Sequence, residues 1–341
     1  MKVNDYNKDN DAEYDDYGIS CPWVLKPFDD AFHKSGFSAF QKFLLQNNHI
    51  KKWILASDYV LYDKNKPNNV VVFSIIPHRP FLSEKFISSN LPKDFKKTKD
   101  FSKNSLDFLR KMNVFSICLI FPKTKVNFFT TNSALKGIVM WETIFSRLIK
   151  MLDLWCKDNN NPNVEYFKST RERVKKLSKI LCQGNFGLWQ DIFVISFFVA
   201  YLVVEMSLII NIELIGWFSD RDKILSFNSK IIKEKNKSNH PFIHDLVVIY
   251  QHVLAVNKNS PQPKLCFGIP NDDKNEMWYD FLNRIPDIVA GCIADYNFDD
   301  NAVSSAKTCS LLEDVVSDNE NIQIFNLHSL SQVWRYGINK S

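Results

Sequence analysis

The sequence predicts an α/β fold, with a mixed sheet of about five strands, flanking helices and a helical insertion. Three observations predict it. Short apolar runs bounded by Pro, Asn or charged residues recur near 53–62, 70–76, 113–121, 212–218 and 264–270 and read as strands. Helical periodicity fills most of the intervening chain after residue 137. The composition, 45% hydrophobic and 24% charged over 341 residues, belongs to a packed protein and excludes disordered, collagen-like and coiled-coil chains. With only 9 glycines against 28 phenylalanines, loop-dominated and Gly-rich phosphate-binding architectures are disfavoured too.

In chain order, residues 1–20 carry six acids against Lys2 and Lys8, and read as a disordered acidic tail. Residues 29–50 form a short amphipathic helix with Asp29 or Asp30 at its start. WILASDYVLY and VVVFSII, joined by the polar turn DKNKPNN, form an antiparallel hairpin. A long basic connection leads to the buried strand NVFSICLIF. Helices follow at 137–157, 165–183 and 188–210, then the strand IELIGWF, a helix near 244–256 and the short strand KLCFGIP. A helix over 275–296 contains Pro286, which marks a kink or a junction. The tail holds one more helix and a short strand at IQIFNL. These elements divide the chain into the tail 1–20, an α/β domain 21–307 with its insertion at about 123–190, and an extension 308–341.

The run 192–212 is long enough to span a membrane, but Glu205 and Asn211 interrupt it and the apolar character continues into the next strand. It reads as a buried core helix. The seven cysteines are widely spaced and odd in number, without a C-x-x-C pair, which fits reduced thiols in a cytoplasmic protein. A zinc site is not expected: of the seven histidines only His240 and His244 form a helix-like pair, with Pro241 between them, and there is no H-E-x-x-H or paired-Cys motif. No G-x-S-x-G or P-loop occurs either, which disfavours serine-hydrolase and P-loop readings.

Five acids stand out because each lies within or just after an apolar run. Asp58 lies within WILASDYVL, where a buried carboxylate needs a partner or a metal, unless alternation turns it to solvent. Asp220 and Asp222 follow the carboxyl end of IELIGWF, where α/β proteins collect ligands, although one of them could start the next helix. Asp287 opens an apolar helix with small residues at Ala290, Gly291 and Ala294, and either favours the helix dipole or points into a site. Glu205 sits in AYLVVEMSLII and requires a partner. Together they are a natural cage for Mg²⁺ or Mn²⁺, and two such ions support phosphodiester cleavage.

Ala56-Ser57-Asp58-Tyr59, Ile215-Gly216-Trp217-Phe218-Ser219-Asp220 and Ile285-Pro286-Asp287-Ile288-Val289-Ala290-Gly291 carry a resemblance. The chain resembles RNase H-like proteins and, more narrowly, a bacterial family of unknown function with that fold. Its members have an early strand ending in an Asp-Glu-Ser-like motif, a middle strand followed by Asp, and a late helix reading like Ala-Asp-Leu-x-Ala-Gly-Ala. Tyr59 and Val60 stand where the family has Glu and Ser. The resemblance implies a metal-dependent nuclease with Asp58, Asp220 and Asp287 as catalytic metal ligands and Asp222 or Glu205 as a fourth acid. It also implies an association with mobile elements and antiphage defence, and so a partner from a neighbouring gene. The alternative is a degenerate RNase H-like binding or sensor module.

The net charge of +5 separates into a tail of −4 and a body of +9. The body's cations cluster at Lys93, Lys96, Lys97, Lys99 and Lys103, and at Lys168, Arg171, Arg173, Lys175, Lys176 and Lys179. They either contact a nucleic-acid backbone, with Phe95 and Phe101 stacking on bases, or form a solvated surface.

Overall fold

A single sheet of seven strands organises the larger part of the chain. We describe it from a computed structural model covering residues 22, 24–80, 83–123, 128–129, 137–158, 163–180, 185–220, 223–227, 241–268, 277–329 and 332–338. The acidic tail, Arg221 and Asp222 lie outside the described residues. The chain divides into a sheet unit (26–124, 205–221 and 263–341) and a helical unit (1–25, 125–204 and 222–262).

In the sheet unit, β1 (Lys52–Val60), β2 (Asn69–Pro77) and β3 (Phe115–Phe121) form an antiparallel meander. β4 (Leu214–Ser219) pairs parallel to β1, and β5 (Lys264–Phe267) pairs parallel to β4. Beyond β3, β6 (Ile322–Ser329) adds a parallel strand and β7 (Gln332–Tyr336) returns antiparallel to it. The order is β5-β4-β1-β2-β3-β6-β7. The expectation of about five strands therefore falls short by a C-terminal hairpin. IQIFNL was visible as a strand, whereas the polar QVWRY lacks the apolar run that marks one.

β2 and β3 are buried along their whole length. This is why they read as continuous apolar runs rather than alternating ones. One face packs on an aromatic layer from α1 (Leu25–Ala31), a π-helical turn (Phe32–Gly36) and α2 (Phe37–Gln46). Phe40 meets Phe115 at 5.5 Å and Phe28 meets Phe325 at 5.3 Å between ring centroids, so part of the phenylalanine excess is spent here. The opposite face carries Ile54, Ala56, Val60, Val70, Val72, Cys118 and Phe218 in one core with α10 (Asp280–Asp295).

α10 runs unbroken through Pro286, so no junction forms there. Its C-terminal end is held by the β1–β2 turn. Asn68 donates its backbone N–H to Ala294 O and its side-chain amide to Ile293 O and Tyr296 O, and Lys66 pairs with Asp295 at 2.7 Å. The basic connection holds two helices that periodicity did not reveal, α3 (Glu84–Asn90) and α4 (Lys103–Lys111), capped by Ser83 and Ser102 accepting from the N–H groups of Phe86 and Ser105. α11 (Ala306–Leu311) precedes the C-terminal hairpin.

The helical unit contains α5 (Ile138–Trp155), α6 (Val164–Ser178), most of α7 (Phe186–Ile209), the short α8 (Lys223–Ser226) and α9 (Phe242–Lys258). Phe145 packs edge-on against Trp189 at 5.1 Å, and Trp141 lies 5.3 Å from Phe193. Among the described residues α7 is the one helix long and apolar enough to cross a membrane, and 89% of its most apolar window is buried inside the protein, as in a core helix.

Candidate functional site

Asp58, Asp220 and Asp287 all belong to the sheet unit. Asp58 lies between Ala56 and Val60 on β1, so alternation puts it on the α10 side of the sheet, and it is 7% exposed. The solvent-facing alternative for Asp58 is thereby ruled out. Ser57 pairs with Ser219 in the parallel β1–β4 ladder, and the N–H of Asp220 continues that ladder by donating to Ser57 O at 3.2 Å. Asp220 thus follows β4 beside Asp58. The neighbouring Ser57, Tyr59 and Ser219 serve the other face, where their hydroxyls are 2.8 Å apart in sequence and Trp217 Nε1 donates to Ser57.

Asp287 projects from α10 towards the connection after α3. Its Oδ2 accepts the N–H of Phe95 at 2.9 Å. That connection is a compact turn. Asp94 Oδ1 accepts from the N–H groups of Lys96 and Lys97, and Lys307 Nζ bonds the carbonyls of Phe95 and Thr98 at 2.7 and 2.8 Å. Burial pushes the Asp287 carboxyl up to about 6. The Phe95 N–H bond opposes that shift, the negative charges of Asp94 and Asp220 add to it, and Lys96 partly offsets them. Asp220 and Asp287 are therefore electrostatically coupled, and Asp94 and Lys96 share their field. A raised carboxyl among like charges marks a candidate site. Asp94 escaped sequence reading because it sits in a lysine-rich stretch with no apolar frame.

The other nominated residues separate. Glu205 is placed on the last turns of α7, with Oε2 3.2 Å from His33 Nε2. Asp222 lies outside the described residues. Among the described residues, Asp29, His33 and Glu205 are the one group of three His, Cys, Asp or Glu side chains whose donor atoms all fall within 4.8 Å of one another, and such a group can hold a metal ion. Asp58, Asp220 and Asp287 are spaced more widely than that. The i,i+4 spacing of Asp29 and His33 was readable, but their meeting with Glu205 is a product of the fold.

Several nominated cations are already engaged. Arg173 reaches the fully buried Asp245 through two nitrogens, at 2.6 and 2.8 Å, so its charge is structural. Arg171 pairs with Asp153 at 3.0 Å and with Glu172, and Lys175 lies 3.6 Å from Glu172. Lys97 lies 3.5 Å from Asp94. Lys176 belongs to the same helix, α6. Lys96 and Lys99 are exposed on the turn beside Asp287. Phe95 is not available for stacking on bases. It is buried against Gly291 and Phe101, with Lys307 Nζ 4.2 Å from its ring centre. No family model matches the sequence, and neither a curated protein nor a solved structure matches the chain.

Proposed function

We propose that the protein is a divalent-metal-dependent, RNase H-like nuclease that hydrolyses phosphodiester bonds of RNA or DNA, acting in the cytoplasm and in antiphage defence. The observation that carries this reading is the arrangement of three acids around one side of a mixed sheet. Asp58 is on the first strand, Asp220 follows the parallel strand beside it, and Asp287 is on the helix after β5. An early-strand acid, an acid after a middle strand and an acid on a late helix are the order that the resemblance to RNase H-like proteins implies, here on a seven-stranded sheet, β5-β4-β1-β2-β3-β6-β7.

The donors are all carboxylate oxygens, the chemistry that suits Mg²⁺ or Mn²⁺. Asp58, Asp220 and Asp287 would hold the metal, with Asp222 as the fourth acid. When bound, it supplies activation of water and stabilisation of the leaving oxygen. The chain's own contribution is orientation. The Phe95 N–H fixes one oxygen of Asp287, and Lys96 offers positive charge to a phosphate beside it.

Purified protein should cleave RNA, DNA or hybrid oligonucleotides in Mg²⁺ or Mn²⁺, and EDTA should abolish the cleavage. Asp58→Ala and Asp287→Ala should each lower the rate at least about 100-fold, in the range of lost electrostatic stabilisation. Variants that cut as fast as wild type would sink the assignment. The wider spacing of the three acids favours a second reading, a degenerate module that binds an oligonucleotide or a partner from a neighbouring gene without cutting. It predicts binding that is indifferent to Mg²⁺ and to Asp287→Ala.

A further inference from the structure

We propose that Asp29, His33 and Glu205 bind one divalent transition-metal ion of the zinc class, at a site that uses none of Asp58, Asp220 and Asp287. The three side chains all lie in the sheet unit and come from three elements. Asp29 lies in α1 and His33, four residues on, in the π-helical turn that continues it, so both project from one side of the same helical segment. Glu205 comes from the last turns of α7. His33 Nε2 lies 3.5 Å from Asp29 Oδ1 and 3.2 Å from Glu205 Oε2. Metal–ligand bonds of zinc to imidazole and carboxylate are about 2.0–2.2 Å, which puts neighbouring donors of a tetrahedral site about 3.3–3.6 Å apart. The edge of 3.5 Å falls in that range, the edge of 3.2 Å lies just below it, and all three donors fall within 4.8 Å of one another.

Charge points the same way. Both carboxylates face one ring nitrogen, Nε2 of His33. Glu205 is 1% exposed, so a cation bound to it is held in largely desolvated surroundings, where its attraction to the carboxylate is strong. A divalent cation held by two carboxylates and a neutral imidazole gives a neutral group, and it accepts all three donors at once. The imidazole is also positioned in advance. Its ring lies 4.5 Å from that of Phe37 and edge-on to Phe32 at 5.7 Å. His33 and Asp29 are 39% and 35% exposed, so the fourth position opens to water. One nitrogen and two oxygen donors without a thiolate select zinc, cobalt or a neighbouring ion over Mg²⁺, which prefers a full shell of oxygens.

The full-length protein, stripped with EDTA and dialysed free of it, tests this directly. Titration with Zn²⁺ against a chromophoric chelator should give one ion per chain. Co²⁺ should produce visible d–d absorption of a four- or five-coordinate site. His33→Ala should weaken Zn²⁺ binding by about tenfold or more and remove the Co²⁺ bands, and so should Glu205→Gln. Asp287→Asn should leave both unchanged. Because Glu205 is buried and its variant could misfold, the half-exposed His33 carries the decision. Zn²⁺ should raise the melting temperature of wild type but not of His33→Ala. No Zn²⁺ binding at micromolar concentration, or binding that survives in His33→Ala, overturns the site. Loss of binding in Asp287→Asn with retention in His33→Ala would also overturn it.

Discussion

At Asp287, burial and the charges of Asp94 and Asp220 all disfavour ionisation, and only the Phe95 N–H and Lys96 favour it. The folded carboxyl titrates at about 6 and an unfolded one at about 4. Below that window both states are protonated and the group contributes nothing. Within it the folded state retains a proton that the unfolded state has released, so stability falls as pH rises, and above about 6 the whole cost is present. Asp287→Asn, whose amide oxygen can still accept from Phe95, should therefore stabilise the protein by about 1–2 kcal/mol at pH 7.5, after discounting for solvent. The gain should vanish at pH 4, as urea unfolding at the two values will measure; an equal gain at both would remove the electrostatic cause. A residue kept in a form that weakens the fold is a sign of use. Asp245 is the opposite case. It is fully buried and accepts Arg173, Tyr166 and Thr170, so Arg173→Ala would strand its charge. The expected cost is about 3–5 kcal/mol, against less than about 1 kcal/mol for the exposed pairs of Arg171.

The contact between α10 and the turn after α3 decides where Asp287 sits. A Cβ on Gly291 would come within 2.2 Å of the Phe95 ring, which cannot swing away because it is buried and Lys307 lies over it. Alanine normally strengthens a helix by about 1 kcal/mol over glycine. Here the clash should win, with Gly291→Ala destabilising by about 1–3 kcal/mol. Phe95→Leu should relieve part of that loss in the double variant, so thermal unfolding of the four proteins gives the coupling, and additive effects would contradict the contact. At this level the helix was legible, since Ala290, Gly291 and Ala294 announced a close approach. What approaches was not, because Phe95 looked like an exposed ring in a basic loop. The same limit applies to α3 and α4, where lysines mask short apolar faces at Ile87, Leu106 and Leu109. Asp58, Asp220 and Asp287 were legible because each interrupts or ends an apolar run, whereas Asp94 lies among lysines. Glu205 was legible as an anomaly, but its partners in α1 and the π-helical turn depend on tertiary packing.

Over the whole molecule, a body charge of +9 says less about binding than the fate of each cation. On α6, Arg173 is locked to Asp245, and Arg171 and Lys175 face Glu172. This helix spends much of its charge inside the chain. On the turn beside Asp287, the side chains of Lys96 and Lys99 are exposed and the turn itself is fixed from beneath by Asp287 and Lys307. If the protein engages a nucleic-acid backbone, the footprint belongs there. Each phosphate contact releases counterions, so losing one lowers the slope of log affinity against log salt by about 1. The double variant Lys96→Ala/Lys99→Ala should reduce that slope by about 2 and weaken binding at low salt, whereas Arg171→Ala should leave it unchanged. Fluorescence anisotropy with a labelled oligonucleotide in EDTA separates binding from cleavage. A slope that responds to Arg171 and ignores Lys96 and Lys99 would move the interface to α6 and detach nucleic-acid binding from the acids beneath the turn.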